Sequence, residues 1–337
     1  MSFDAFPKIL VIRRDNIGDL VCTTPLISAL RRRFPQGWLG ALVNSYNAPV
    51  LDGNPDLDEV FVYTKAKHRG DGESLPGILW RRLKMMRRLR AMELDDVIIA
   101  TTSPQPRVIK LARWLKPKRV IGFGAVDGLD LALPLDDAKR HEVDDVFRAA
   151  AVYGVDTPPP ACRVFVRSPK PAIQDLTVGI HISARKPSQR WPAQRFADTI
   201  KAIAAQGPAR FFLLWSPGDD TNPLHPGDDA KAQDVLRLTG DSAAVIPRPT
   251  QSLADLITAL SECDTLICAD GGAMHVGAGL GVPIVCLFGN SDAARWRPWG
   301  VPYRLLQKPS ADVADIGVSE VVAAFNALRA DTPARAA

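Results

Sequence analysis

Apolar and polar positions alternate along this chain in two periods. Lys8–Arg13 (KILVIR) is a short apolar run rich in β-branched residues, followed by the polar loop RDNIGD and a helical pattern reaching about Arg33. Further strand-like runs occupy Leu39–Asn44, Glu59–Tyr63, Asp96–Thr101 and Arg119–Phe123, with helical patterns at Ile78–Ala91 and Arg107–Trp114. Runs of this length between helices predict a parallel sheet wrapped by helices. The alternation breaks where five prolines (Pro158, Pro159, Pro160, Pro169, Pro171) fall within one short stretch, the composition of a linker. It then restarts. Strands are predicted at Thr177–Ile182, Arg210–Trp215, Ala244–Ile246, Thr265–Ala269 and Pro283–Phe288. Helices are predicted at Ala193–Ala205, Leu253–Ser261, Ala273–Leu280 and Val318–Arg329. The expectation is an α/β protein of two Rossmann-like domains, residues 1–157 and 177–330, joined by a Pro-rich linker at 158–176 and facing a central cleft.

Length and composition agree with two domains: 337 residues, of which 46% are apolar, fill two ordinary cores. No stretch approaches the ~18 apolar residues of a membrane span. The N-terminus MSFDAFPKILVIRR lacks the basic and apolar regions of a secretory signal, so the chain reads as cytoplasmic. The five cysteines have no metal-ligand spacing, and most sit in apolar runs, where a thiol behaves as a small hydrophobe. Charge is uneven. Residues 1–170 hold 27 Lys+Arg against 20 Asp+Glu, and the rest hold 15 against 17. A basic first half is suited to an anionic partner, although a solvated surface explains the same numbers.

Three segments carry candidate chemistry. In open α/β sheets ligands bind beyond the carboxyl ends of the strands. Gly18-Asp19, after the first strand, offers close backbone approach and a carboxylate there. Asp19 also suits the simpler task of capping the next helix. The absence of GxGxxG argues against a dinucleotide-dependent dehydrogenase. His181–Trp191 (HISARKPSQRW) gathers Ser183, Arg185, Lys186, Ser188 and Arg190 before a helix expected to start at Pro192. This makes a diphosphate receptor or a solvated basic loop. In CADGGAMHVGAGLGVPIVCLFG (268–289) an apolar strand ends at Asp270, Gly271-Gly272 exposes amides, and a helix bearing His275 begins. A lone histidine is commonly just packed and hydrogen-bonded. Asp270, the glycine pair and His275 together favour a site. Asp56-Leu57-Asp58 has the form of a metal motif but sits in a turn leading into a strand, and we read it as structural; no metal site is expected.

Four segments carry a resemblance. VIRRDNIGDLVCTTPLISALRRRFP, HEVDDVFRAAAVYGVD, HISARKPSQRWP and DGGAMHVGAGLGVPIVCLFG resemble, in order and over nearly the whole chain, the heptosyltransferases of glycosyltransferase family 9. Gly271 stands where that family often has Ser or Thr, and Arg190 where some members have Lys. The resemblance implies the GT-B architecture and inverting, metal-independent transfer of a heptose from ADP-heptose to a lipopolysaccharide inner-core hydroxyl. No cofactor is expected beyond the ADP-heptose donor substrate. It implies Asp19 as base; Ser183, Lys186, Arg190, Gly271 and Gly272 at the donor diphosphate; and Asp270 and His275 at the donor sugar or nucleotide. Arg13, Asn16 and Gly18 fall on the acceptor side. The implied partners are a nucleotide-sugar donor and an anionic lipid-linked glycan at the inner membrane, with no nucleic acid. Residues 79–119, with 12 Lys+Arg against three acids, fit such a partner. In WRRLKMMRRLR, Trp80, Leu83 and Met86 share one helical face, and Arg81, Lys84 and Arg88 another. That apolar stripe serves either a membrane surface or the core. Two rivals stand beside this reading: a nucleotide-sugar 2-epimerase, which would turn over without an acceptor, and a non-catalytic binder of nucleotides or anionic glycans.

Overall fold

The computed structural model describes residues 6–64, 75–103, 105–135, 138–166, 175–221 and 227–332. The chain divides into two compact units between Val164 and Phe165. Much of the expected linker, residues 167–174, lies outside the described residues, as does the Ala-rich tail from 333 onward.

The first unit runs β1 (Lys8–Ile12), α1 (Ile17–Val21), α2 (Thr24–Arg33), β2 (Trp38–Asn44), β3 (Glu59–Tyr63), α3 (Leu75–Ala91), β4 (Asp96–Ile99), α4 (Pro106–Trp114), β5 (Arg119–Phe123), β6 (Leu131–Leu133) and α5 (Glu142–Phe147). Its six strands are all parallel, in the order β3-β2-β1-β4-β5-β6. The second unit runs β7 (Leu176–His181), α6 (Ala193–Ala204), β8 (Ala209–Trp215), α7 (Asp229–Thr239), β9 (Ala244–Pro249), α8 (Leu253–Ser261), β10 (Thr265–Ala269), α9 (Gly272–Gly279), β11 (Ile284–Phe288), α10 (Ala293–Trp296), β12 (Tyr303–Gln307) and α11 (Val318–Asp331). Its order, β12-β11-β10-β7-β8-β9, again fully parallel, repeats the first topology. In each sheet the chain reverses its direction of progress at the first strand: beside β4 in one unit, beside β10 in the other. Ligands bind at such switch points.

Burial explains the sequence pattern. The central strands β4, β10 and β11 are buried along their whole length, and β1 and β7 nearly so, because helices cover both faces of a parallel sheet. Five elements have no sequence expectation, and their signatures are weaker: α5 and α10 span only six and four residues. β6 and β12 are edge strands with little burial, and α7 buries only Ala232, Val235 and Thr239. The predicted opening helix is two pieces, α1 and α2. Its break falls at Thr23 and Pro25: Thr23, the residue before α2, turns its hydroxyl back to the Asp19 carbonyl (2.8 Å), and Pro25 stands in the first turn of α2, where a missing N–H costs nothing. All five cysteines are buried, as expected of small hydrophobes. Asp56 accepts from Ser28 Oγ (2.6 Å), and Asp58 accepts from Arg31 and from the Leu39 amide, so this pair is structural. Among the described residues no cluster of His, Cys, Asp and Glu has the form of a metal site.

Candidate active site

At the switch point of the first unit, the loop after β1 folds back through Asp19. Asn16 is the N-cap of α1 and Asp19 its third residue, so the Asp19 carboxylate reaches the Asn16 amide (3.1 Å) and the Asn16 side chain (2.9 Å) through Oδ2. Asp19 therefore does close the helix start, but only one of its oxygens is used for this. Its Oδ1 accepts from Arg13 Nη2 at 2.5 Å. The same Nη2 donates to Glu142 Oε1 at 2.8 Å, Arg13 Nε lies 3.1 Å from Asp15 Oδ2, and Nη1 bonds the Ala100 carbonyl. Arg13 and Glu142 are 2% and 1% exposed, so this is a buried ionic hub tying β1, β4 and α5 together. Burial opposes the Arg13 charge, but Asp19, Glu142 and Asp15 outweigh it and raise the pKa. With its guanidinium so occupied, Arg13 orients Asp19 rather than presenting a cation to an acceptor. Gly18 lies inside the first turn of α1 and is buried, and Asn16 is exposed beside it.

In the second unit, the loops after β7, β10 and β11 come together at the corresponding edge. Gln189 is buried and joins all three: its Nε2 donates to Asp270 Oδ2 and to Ser291 Oγ, each at 2.9 Å. Gln307 holds the third loop through the carbonyls of Gly289 (2.8 Å) and Ser291 (3.0 Å). Gly289 is needed for this approach, since a Cβ there would sit 2.2 Å from the Ser188 carbonyl oxygen. The β7 loop is drawn in by its own contacts. Ser183 Oγ accepts from the Ser216 amide (2.9 Å), Arg190 Nε donates to the Ala184 carbonyl (3.0 Å), and Lys186 is exposed ahead of a 3-10 turn at Pro187–Gln189. Pro192 is the N-cap of α6 rather than its first residue, so the basic loop is shaped by this turn and not by the α6 terminus. Trp191 anchors it: fully buried, it packs edge-on to Phe196 and donates Nε1–H to the Ile316 carbonyl.

The glycine pair behaves differently from a tight turn. Gly271 has φ 160°, an extended conformation open to any residue, and a Cβ there would meet nothing within 4 Å. Gly272 opens α9. Gly277 does serve close packing, as a Cβ would come within 2.8 Å of Leu266. His275 is buried and meets Trp296 edge-on at 5.9 Å. Lys231 of α7 enters the same edge, donating to the Ile182 carbonyl at 2.8 Å. Burial and the neighbouring Arg190 lower its pKa to about 8 against the pull of Asp228. Burial and Lys231 push His181 down to about 4, so it stays neutral at physiological pH.

Sequence reasoning named Asp19, Ser183, Lys186, Arg190, Asp270, Gly271, Gly272 and His275, and the structure brings the last seven to one edge of the second sheet and Asp19 to the equivalent edge of the first. It missed Glu142, Gln189, Lys231 and Ser291. Each is tied to its partner only by the fold: Gln189 and Asp270 are 81 positions apart, and Arg13 and Glu142 are 129.

The profile of glycosyltransferase family 9 (heptosyltransferase) matches residues 82–315. The chain belongs to glycosyltransferase family 9. This family 9 chain is 22% identical to a putative glycosyltransferase of Haemophilus influenzae over 319 residues, covering 87% of this chain and 85% of that one. It is 22% identical to lipopolysaccharide heptosyltransferase 3 of Escherichia coli over 301 residues, covering 84% and 83%. A family 9 glycosyltransferase from Veillonella parvula has the same fold, with a TM-score of 0.81 at 21% identity over 98% of this chain and 99% of that one. An Escherichia coli heptosyltransferase solved with ADP gives 0.78 at 17% identity over 95% and 99%. The expected GT-B architecture, two Rossmann-like units in one chain, is therefore the fold of this family 9 glycosyltransferase. Among its described residues no helix is long and apolar enough to cross a membrane.

Proposed function

We propose that this glycosyltransferase moves a heptose from ADP-heptose to a hydroxyl of a lipopolysaccharide inner-core sugar, with inversion. The observation that carries the reading is the held carboxylate of Asp19, fixed from both oxygens at the switch point of the first sheet. As the acceptor hydroxyl attacks the anomeric carbon, its proton passes to Asp19. The C–O bond to the diphosphate breaks, and ADP leaves with the bonding pair. Arg190, Lys186, Ser183 and the amides at Gly271–Gly272 offset the charge that develops on the diphosphate. Asp270, held by Gln189, and His275, set against Trp296, are the donor sugar and nucleotide contacts. Asn16 and Gly18 line the acceptor side beside Asp19.

The acceptor is then an anionic glycan carried on lipid, and α3 supports contact with its membrane. Leu79, Trp80 and Leu83 are 59%, 64% and 38% exposed on a helix that holds six cations and no acid. The core contact is made by Ile78 and Leu89 instead, with Met85 and Met86 alongside. Met86 thus leaves the face assigned to it with Trp80 and Leu83.

The test is ADP release from ADP-heptose with and without a lipopolysaccharide core acceptor. Release should depend on acceptor, and Asp19→Asn should lower kcat by about 10²–10⁴ while ADP binding is kept. Acceptor-independent turnover, as an epimerase would give, or full activity in the variant would overturn the reading.

A further inference from the structure

Arg14, next to the buried hub but not part of it, lies over the ring of Tyr63 with Cζ 3.7 Å from the centroid. Arg82, from α3, lies over the same ring at 4.2 Å. The two guanidinium carbons are thus held no farther apart than those two distances together. Cation–π contact with one ring favours each arginine, but it does not neutralise either charge. No carboxylate among the described residues pairs with either one. The nearest by sequence, Asp15, is already taken by Arg13 Nε at 3.1 Å and by Gln105 Nε2 at 2.7 Å. Arg82 uses Nε and Nη2 on the Thr64 carbonyl, and Arg14 Nε is buried without a hydrogen-bond partner. Burial lowers the Arg14 pKa; Tyr63 opposes this shift and Arg82 adds to it. Two guanidiniums held at one ring with no paired carboxylate among the described residues, Asp15 acting on Arg14 only as a nearby charge, can recognise an oxyanion, because each offers a planar fork of donors.

The placement gives the pair a purpose. Arg14 leaves the carboxyl end of β1, and Tyr63 ends β3. Asn44, which ends β2, fixes the Arg14 carbonyl through its side-chain amide. All lie on the sheet edge that carries Asp19. We propose that Arg14, Tyr63 and Arg82 form an oxyanion-binding subsite for a phosphate or carboxylate group on the acceptor. The acceptor assignment rests on the function proposed above; the anion site itself rests on this geometry alone.

Calorimetric titration of the full chain at low ionic strength, with inorganic phosphate and separately with acetate, tests it. Arg190→Gln serves as a background that weakens phosphate binding in the second unit. In that background, Arg14→Gln with Arg82→Gln should weaken anion binding about tenfold to hundredfold, the loss expected for charge-assisted hydrogen bonds. Loss for phosphate alone assigns a phosphate ester, loss for acetate alone a sugar acid, and loss for both a general oxyanion site. Thermal melting checks folding, and Arg82→Gln alone replaces the pair if the double change unfolds the chain. Binding of both anions unchanged by the substitutions, or no binding of either by the parent, would overturn the proposal. If ADP-heptose proves not to be a donor, the titration still decides the anion site. If transfer is confirmed, the double variant should raise the acceptor KM and leave the ADP dissociation constant as it was.

Discussion

At the scale of single residues, Lys231 makes the sharpest pH-dependent prediction. Its pKa of about 8 lies below the ordinary 10.5, so the charged form is disfavoured by folding. An arriving diphosphate favours that charged form and draws a proton in. ADP affinity should therefore be highest below pH 8 and fall as pH rises through it, by up to about fivefold between pH 7 and 9 if the bound pKa rises by up to about one unit. Calorimetry in buffers of different ionisation heats would detect the proton uptake, and Lys231→Gln should flatten the profile. Gly271 leads to a second prediction. The resemblance puts Ser or Thr at this position; the backbone is extended and the space open, so Gly271→Ser should change stability by no more than about 0.5 kcal/mol. A melting temperature within a degree or two of the parent's checks this, and the ADP dissociation constant shows whether the restored hydroxyl contacts the donor. The departure from the family pattern at this position is thus a difference of chemistry, not of backbone need.

At the scale of elements, α3 changes meaning between sequence and structure. Periodicity put Trp80, Leu83 and Met86 on one face and left open whether that face served the core or a surface. The core takes Ile78 and Leu89, on a different stripe, so Trp80 and Leu83 remain exposed. Cations on the helix are also unequal. Arg88 pairs with Glu59 at 2.7 Å, Arg90 donates to the Trp114 carbonyl and lies over its ring, and Lys84 and Arg87 are exposed without such ties among the described residues. Replacing Arg88 or Arg90 would disturb the unit itself. The cleaner change is Trp80→Ser with Lys84→Gln and Arg87→Gln. At about 1 kcal/mol per cation near an anionic surface, the two charges alone are worth roughly a thirtyfold loss of binding to vesicles containing anionic lipid at low salt. Removing the Trp80 side chain adds to it. Vesicle co-sedimentation at low and high salt measures it. Equal binding by parent and variant would make α3 an ordinary solvated helix.

At the scale of the whole molecule, one topology is used twice, and each unit sets its candidate groups at the carboxyl edge where strand order reverses. The proposed function puts the donor on the second unit, where Lys186, Arg190 and Lys231 would supply the positive charge that a metal ion provides in other phosphate sites. Activity should accordingly survive EDTA. Complete loss, restored by Mg²⁺ or Mn²⁺, would show that the leaving group is stabilised by a metal. ADP at about 100 times its dissociation constant should stabilise the native state by about 2.7 kcal/mol, read as a rise in melting temperature that GDP and UDP match less well.

What the sequence determined by itself is what depends on neighbours along the chain. Runs such as ILVI and TLICA are apolar throughout because a central parallel strand is covered on both faces, so the positions of the central strands and the doubly wound class were legible. So was the placement of Asp19, Arg190 and Asp270 just beyond the ends of strands, since strand–loop–helix transitions can be read along the chain. Only the tertiary structure decided which groups share that edge and what they touch. Arg13 reads as one more cation in a basic loop until burial surrounds it with Glu142, Asp15 and Asp19. Gln189 reads as loop filler until the fold sets it against Asp270 and Ser291. Arg14 and Arg82 become a pair only where β1, β3 and α3 converge on Tyr63. The physical reason is common to all three. Periodicity records how a residue is buried, whereas ion pairs, stacking and shared hydrogen bonds join residues that are distant in sequence and leave no local pattern in it.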